Sequence, residues 1–556
     1  MRPTESTEGY VLHCKNIPYL DQSKLIDLPA ANRRLRDELV GLLGWVNDPA
    51  RYECSATTDL KVSTLSEADH AVQLRHGKIG PEADPRGTCK PLKRPEHSKR
   101  RFRGLQWPEL ANLMTADCVY TEFLPYVQRH SAILRGRYTI DLDWSAYFDQ
   151  FALDEEVRRY FAFKTKGGQI YSMKVLPMGL KHSVSVAHTA TLQLLNFAHQ
   201  VYSEAYVDNV RMISDAKDAI VHDAATLVCR CVEAGVTINE IDVAHMRTMD
   251  PRLRMHEAKR LVEPLVKSKG PWLGEVYDYE HKLIDLADKT RDKVRRCLDA
   301  KRPTFRTFAA AVGVLQYASR TLDMPLAQYY AALRAIAAVA WLLEQRPHLW
   351  DVPMPAMCPA VTANLRRWRD DILASGPRKV TKPKIPSVVI IVDASDAGWG
   401  ALSVDDLGRI KYARQRWSDR DKRTFDTGSS VRAEPEGIYR ACCRFVGPKQ
   451  GAAIVLTDSA ASAGALTRGH SRSFWMNEVS KRLLRVFPHT SFTFQHTPGV
   501  TNPADGISRE LLEPSATDRL TALRLAEEAR TSFEGGRVSR RDTKAAQAVG
   551  AADSPA

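Results

Sequence analysis

The chain has 556 residues, 44% hydrophobic and 26% charged, with 30 Gly and 30 Pro, an ordinary globular composition that excludes a disordered or fibrous protein and leaves room for about three to five domains. Lys and Arg outnumber Asp and Glu by 80 to 66, and the net charge of +14 suits a polyanionic partner, although many basic proteins have none. The ten Cys, Cys229/Cys231 and Cys442/Cys443 included, lack the paired spacing of a zinc module and read as free thiols of a reducing compartment.

The N-terminal stretch MRPTESTEGYVLHCKN lacks the basic-then-apolar pattern of a signal peptide. No run is read as reaching the roughly 18 apolar residues of a membrane span. The expectation is a soluble intracellular protein, cytoplasmic or nuclear, with no membrane partner.

Residues 1–85 read as a mixed region of unassigned role with one helical pattern, Ala30 to Val46. A densely basic stretch, CKPLKRPEHSKRRFR, opens a segment of alternating strands and helices over 86–280. An alanine-rich helical region follows over 281–374. The Pro-, Gly- and Lys-containing run at 375–386 then marks a linker. Over 387–512, VVIIVDASDAGWGALSV predicts a buried strand, a polar turn and a second strand. Residues 513–556 predict a helix fading into a disordered tail.

Two acidic strand ends stand out in the 86–280 segment. In RYTIDLDWSAYFDQF, Asp141 and Asp143 lie two apart and so share one side of a strand. In SEAYVDNV, Asp208 sits at a tight turn between two apolar strand-like pieces. Carboxylates delivered from two segments suit a pair of Mg²⁺ ions acting on phosphate oxygens, although an isolated Asp at a strand end is more often a turn residue or a solvated charge.

The order of motifs across about 170 residues resembles the reverse transcriptase family. Counting from LDEEVRRYFAF, the resemblance makes Asp143 rather than Asp141 the metal ligand, with Asp208 its partner. Phe148 then falls at the steric gate, where a bulky ring under the sugar would exclude a 2′-hydroxyl. VLPMGLKHSVSVAH resembles the family's turn beside template and nucleotide, which implies contacts from Met178 and Lys181. KRRFRGLQWPELAN resembles the fingers hairpin and implies Arg103 as the triphosphate-binding arginine, its planar fork suited to phosphate. PWLGEVYD resembles the primer grip and implies Trp272 and Gly274 there. The chain departs from the family at YVDN, where Asn209 replaces a second Asp and offers only a weak amide-oxygen ligand. GVTIN at 235–239 resembles a further motif, but no Lys follows promptly, so no general acid is assigned.

The last folded segment carries Asp393, Glu434, Asp458 and Asp505 in four separated elements, with His496 on a Gly/Pro loop in FQHTPGVTNPAD. Together they resemble ribonuclease H domains of retrotransposons. This implies a four-carboxylate cage for two metal ions, with His496 assisting product release or proton transfer. Glu434 is preferred to Glu436 because the following helix has the matching register.

The expected fold is an α+β and α/β multidomain chain: a right-hand polymerase of fingers, palm and helical thumb or connection, then a ribonuclease H-like mixed sheet with flanking helices. The resemblance implies an RNA- and DNA-templated DNA polymerase with a ribonuclease H, from a tyrosine-recombinase (DIRS/VIPER-like) or LTR retroelement. Its cofactors would be two Mg²⁺ or Mn²⁺ ions per site. Its partners would be an RNA template, a primer/template duplex, an RNA:DNA hybrid and deoxynucleoside triphosphates. The sequence does not specify the oligomeric state. The alternative is a polymerase-inactive relic that binds nucleic acid, with or without ribonuclease activity.

Overall fold

The computed structural model describes residues 7–116, 123, 126–300, 302–447, 450–510 and 512–549; of the tail, residues 550–556 therefore lie outside the described residues. The chain is a mixed α/β multidomain protein that divides into two compact units, 1–284 and 285–556.

The first unit is built on one large core. The strands Tyr138–Asp143, Asn209–Ser214 and Tyr202–Tyr206 form an antiparallel sheet with Asn209–Ser214 in the middle. Apolar side chains Ile140, Leu142, Val210 and Met212 turn into the core, where the helices Ser183–Leu194 and Lys217–Ala234 supply Val186, Ala187, Ala190, Ala224 and Val228. Residues of the 1–85 region belong to the same core. Leu25, Leu39, Leu42 and Leu43, from the helices Gln22–Asp27 and Arg33–Val46, are buried in it. The Arg33–Val46 helix starts at Asn32, whose side chain caps the Leu35 N–H at 3.4 Å.

The basic stretch forms the hairpin Lys90–Glu96 with Arg101–Trp107, and the strand Val11–His13 adds to it in parallel, pairing His13 with Arg103. A second hairpin, Lys269–Trp272 with Glu275–Asp278, turns through Leu273 and Gly274, both at positive φ.

Below the three-stranded sheet lies a buried ionic knot. Arg211 is 0% exposed. It pairs with Glu204, donates to the Tyr279 hydroxyl at 3.0 Å, and lies against the rings of Trp272 (4.9 Å) and Tyr277 (4.4 Å). Tyr277 in turn donates to Glu275 at 2.6 Å. A guanidinium this deep is tolerable only because carboxylate, hydroxyl and ring faces replace its water. The same contacts fasten the 269–278 hairpin to the sheet.

The second unit has a helical layer and a sheet layer. Phe305–Thr321, Tyr330–Gln345 and Pro359–Ala374 pack with Asp288–Arg296 around Leu315, Val312, Tyr329 and Trp368. Tyr329 and Trp368 stack at 4.8 Å, and the Trp368 indole donates to Ser319 at 2.7 Å. One expectation is corrected here. The run Leu326–Gln345 is 20 residues with mean hydropathy 1.4, long and apolar enough by length and composition to cross a membrane. It is 33% buried in this unit, with Tyr329, Ala332, Val339 and Leu343 in the core. Its alanines raise the average hydropathy of a helix of which, in packing terms, one face is buried.

The sheet runs Ile410–Arg416, Gly398–Asp405, Val388–Ala394, Ala452–Thr457, Ser491–His496, with the last two strands parallel to Val388–Ala394 and the first two forming an antiparallel meander. It is a mixed sheet with flanking helices, as the sequence predicts. The unbroken apolar VVIIV has a simple cause, because the central strand is covered on both faces. Val388, Ile390 and Val392 pack under the helices Ser430–Phe445 and Phe474–Val486. Val389 and Ile391 meet Ala522, Leu525, Ala526 and Ala529 of the helix Ala516–Val549. The start of the expected tail is thus part of the core.

Replacing Arg211 by Met leaves Glu204 buried without its counter-charge. Urea denaturation should show a loss of about 3–5 kcal/mol, with the double replacement Arg211→Met, Glu204→Gln recovering part of it.

Candidate active sites

Backbone pairing brings the first pair of carboxylates together. Asp143 ends its strand opposite Asn209, and the Trp144 N–H donates to the Asp208 carbonyl at 2.9 Å. The Asp208 turn is tight, with Val207 at φ 56°, a conformation that costs a β-branched residue energy and is held by its surroundings. The Val207 N–H donates to His188 at 3.2 Å, and its carbonyl accepts from Thr191 at 2.6 Å.

The other edge of Asp143 is held by residues 239–240. Its carbonyl accepts the Asn239 N–H at 2.9 Å, and its own N–H donates to the Glu240 carboxylate at 2.9 Å. Burial, then Asp208 and then Glu240, push the Asp143 carboxyl up to about 6. Burial also raises Asp208, with Arg103 opposing it. An excess of negative charge in a partly dehydrated recess is a fitting environment for a divalent cation. Asn209 turns its amide to Asp208, donating at 2.7 Å. Among the described residues no third carboxylate closes with Asp143 and Asp208 into a compact ligand group.

The neighbouring residues are distributed unevenly. Phe148 is partly buried against the core. Arg103 is half exposed and pairs with Glu96 at 3.1 Å. Met178 donates its N–H to Gln106 at 3.2 Å. The Lys181 ammonium donates to the Thr115 carbonyl at 2.8 Å, and its N–H to Asn112 at 2.8 Å. These bonds dock the 177–181 turn on the 101–107 strand and on the helix Glu109–Met114 that follows it, and Gly179 is required there, since a Cβ would lie 2.1 Å from the Gln106 carbonyl oxygen. Trp272 is buried on Arg211, and Gly274 has φ 89°.

Two residues at this site escape sequence reasoning. Glu240 directly follows GVTIN, so its position was readable once that stretch was placed beside Asp143. Lys15 had no signal. It lies 128 positions before Asp143, and the fold delivers its ammonium to Ser145 Oγ at 2.6 Å and Asn239 Oδ1 at 2.7 Å.

The second unit gathers Asp393, Glu434 and Asp458, with one oxygen of each within 4.8 Å of the others. Asp393 lies near the end of the central strand and Asp458 just past its parallel neighbour, so both carboxylates reach the same sheet edge. Glu434 comes from the helix above. Gly437, one turn on, lets that helix approach, because a Cβ there would meet Ala394 Cβ at 3.1 Å. Glu436 points elsewhere, bonded to Arg440 at 3.0 Å and paired with Arg482.

Asp505 sits to one side, partly exposed and paired with Arg509 at 2.6 Å, though its charge still bears on Asp393 and Asp458. Ser508 donates to Asp393. His496 is exposed at the end of its strand opposite Thr457; burial raises the Asp458 carboxyl, and the His496 charge opposes that rise. Burial and then the charge of Asp458 and Asp505 push Asp393 up to about 6, against the Ser508 bond. Burial, then Asp393 and Asp458, push Glu434 up to about 9. One Glu434 oxygen, Oε2, is buried without a hydrogen-bond partner. Three crowded carboxylates with an orphaned oxygen are the donor set of a hard divalent cation.

The sign of the pH effect follows. Glu434 ionises near 4.5 when free and about 9 when folded, so between these values folding takes up a proton and metal-free stability falls as pH rises. In EDTA the melting temperature should fall from pH 5 to pH 9. Mg²⁺ should raise it more at pH 8 than at pH 5. Glu434→Gln should melt higher than the wild type in EDTA at pH 8, by roughly 4–8 °C, the shift that ~2 kcal/mol produces in a unit of this size.

Residues 100–259 match the family model described as reverse transcriptase (RNA-dependent DNA polymerase). No curated protein matches the chain. Among solved structures it is similar to a foamy viral protease-reverse transcriptase dRH in complex with double-stranded DNA, with 12% identity, TM-score 0.45, and coverage of 87% of this chain and 84% of that one. The foamy viral protease-reverse transcriptase with double-stranded DNA has 13% identity and TM-score 0.45, over 86% and 96%. The same protein with an RNA/DNA hybrid has 13% identity and TM-score 0.44, over 85% and 62%. At these scores the likeness assigns no function and no site residue. The family match does reach the strand ends just described, and Asp143 and Asp208 both lie within the residues that match that model.

Proposed function

We propose that the chain is an RNA- and DNA-templated DNA polymerase joined to a ribonuclease H, the intracellular replication enzyme of a DIRS/VIPER-like or LTR retroelement. The observation that carries the polymerase reading is that Asp143 and Asp208 lie side by side at one end of a strand pair, inside the segment that matches the reverse transcriptase family model. The ribonuclease reading is supported by the Asp393–Glu434–Asp458 group at the edge of a mixed sheet.

In this reading residues 86–280 are fingers and palm, 281–374 thumb or connection, and 387–512 the ribonuclease domain. Asp143 and Asp208, with weak help from the Asn209 amide oxygen, would hold two Mg²⁺ or Mn²⁺ ions. Asp393, Glu434, Asp458 and Asp505 hold two more. When bound, such ions polarise phosphate oxygens and make a hydroxyl or water a better nucleophile. Arg103 leaves Glu96 for the nucleotide phosphates, where its fork binds two oxygens. Phe148 closes the space a 2′-hydroxyl would need. Met178 and the turn anchored by Lys181 support the template base, while Trp272 and the Gly274 turn hold the primer end. His496 assists the ribonuclease step.

Primer extension on an RNA template with labelled deoxynucleotides and Mg²⁺ tests the polymerase. Asp143→Ala should lose it by at least about a thousandfold while RNA:DNA hybrid cleavage persists, and Asp458→Asn should do the reverse. Loss of hybrid cleavage in neither variant would defeat the ribonuclease assignment.

Asn209 favours one second reading, a polymerase-inactive nucleic-acid-binding relic with or without the ribonuclease. Asn209→Asp separates the two. A gain in extension over a measurable wild-type rate means a working site with reduced metal affinity, and no extension by either protein, with Mn²⁺ also tried, favours the relic.

A further inference from the structure

The N-terminal region carried no legible chemistry, yet it reaches the polymerase site twice. Its strand Val11–His13 pairs in parallel with Arg101–Arg103, beside the proposed triphosphate arginine. Two residues on, Lys15 reaches the segments on either side of Asp143. Its ammonium donates to Ser145 Oγ at 2.6 Å and Asn239 Oδ1 at 2.7 Å, and Asn239 hydrogen-bonds the Asp143 carboxylate.

Both of these Lys15 partners are neutral. Among the described residues Lys15 makes no ion pair, unlike Arg103 with Glu96, Lys267 with Asp141 and Lys78 with Asp149. A half-buried ammonium held by two neutral oxygens next to a carboxylate pair has one donor direction available for an anion.

We propose that Lys15 is a substrate-binding residue of the polymerase site, its ammonium donating to the triphosphate of the incoming nucleotide. This rests on the polymerase reading above. Ser145 and Asn239 act as positioning residues that hold the ammonium extended, and Asn239 ties its location to Asp143.

The test is steady-state primer extension by the full chain on oligo(dT)·poly(rA) with dTTP and Mg²⁺, comparing wild type, K15Q and K15R. Gln keeps a neutral amide donor, removes the charge and shortens the side chain by one atom. K15Q should raise the KM for dTTP by about tenfold or more, the loss expected for one charged hydrogen bond. Inhibition by inorganic pyrophosphate should weaken in parallel. Primer/template affinity and melting temperature should hold, and K15R should recover most of the loss. An unchanged KM in K15Q, or an equal rise in K15Q and K15R, overturns the proposal.

Absence of extension by the wild type would defeat the polymerase reading separately. Calorimetric binding of dTTP with Mg²⁺ then decides: binding by wild type that is lost in K15Q supports Lys15, and equal or absent binding in both overturns it.

Discussion

The arrangement of the first unit depends on the hydrogen bond from the Trp144 N–H to the Asp208 carbonyl. It closes the end of a strand pair so that two carboxylates 65 positions apart in the sequence emerge side by side. Like charges in a partly dry recess repel, and only a rigid backbone keeps them adjacent. The rigidity is over-determined. Asn239 and Glu240 hold the opposite edge of Asp143, while His188 and Thr191 hold the strained Val207 turn. The raised Asp143 and Asp208 carboxyls express the cost of that confinement, which a bound cation would offset.

The same solution recurs in the second unit with different parts. There the parallel strands Val388–Ala394 and Ala452–Thr457 end at one edge, and a helix allowed close by Gly437 adds Glu434 from above. Burying the central strand on both faces gives that edge its stiffness. The helix Ala516–Val549 is therefore as much a part of the site's support as the strands, although it carries none of the acidic residues.

Charge of the opposite sign is organised by depth. Arg211, fully buried, is spent on structure, tying Glu204, Tyr279, Trp272 and Tyr277 into one knot that fixes the 269–278 hairpin. Lys181 is likewise engaged with backbone, clamping the turn that Gly179 makes possible. Arg103 and Lys15 differ, since one is half exposed and the other has, among the described residues, neutral partners. Partial solvent access leaves such groups free to exchange a protein partner for a phosphate at low cost.

The sequence by itself determined which acidic residues stand at or near strand ends. The alternation around Asp143, the turn at Asp208, the apolar VVIIV before Asp393 and the order of the four later carboxylates are local patterns, because strand periodicity and turn residues act over a few positions. It also separated a mixed α/β multidomain chain from other classes. Tertiary structure alone decided the rest. Nothing local to Lys15, Glu240 or the start of the last helix announces their neighbours, since those contacts are set by how distant segments pack. The choice between Glu434 and Glu436 is of the same kind. Two carboxylates two positions apart on a helix point about 200° apart, and only the packed sheet determines which one meets Asp393 and which one meets Arg482. The apolar run 326–345 also reads differently on its own and in the fold, because hydropathy sums all faces of a helix while packing buries one.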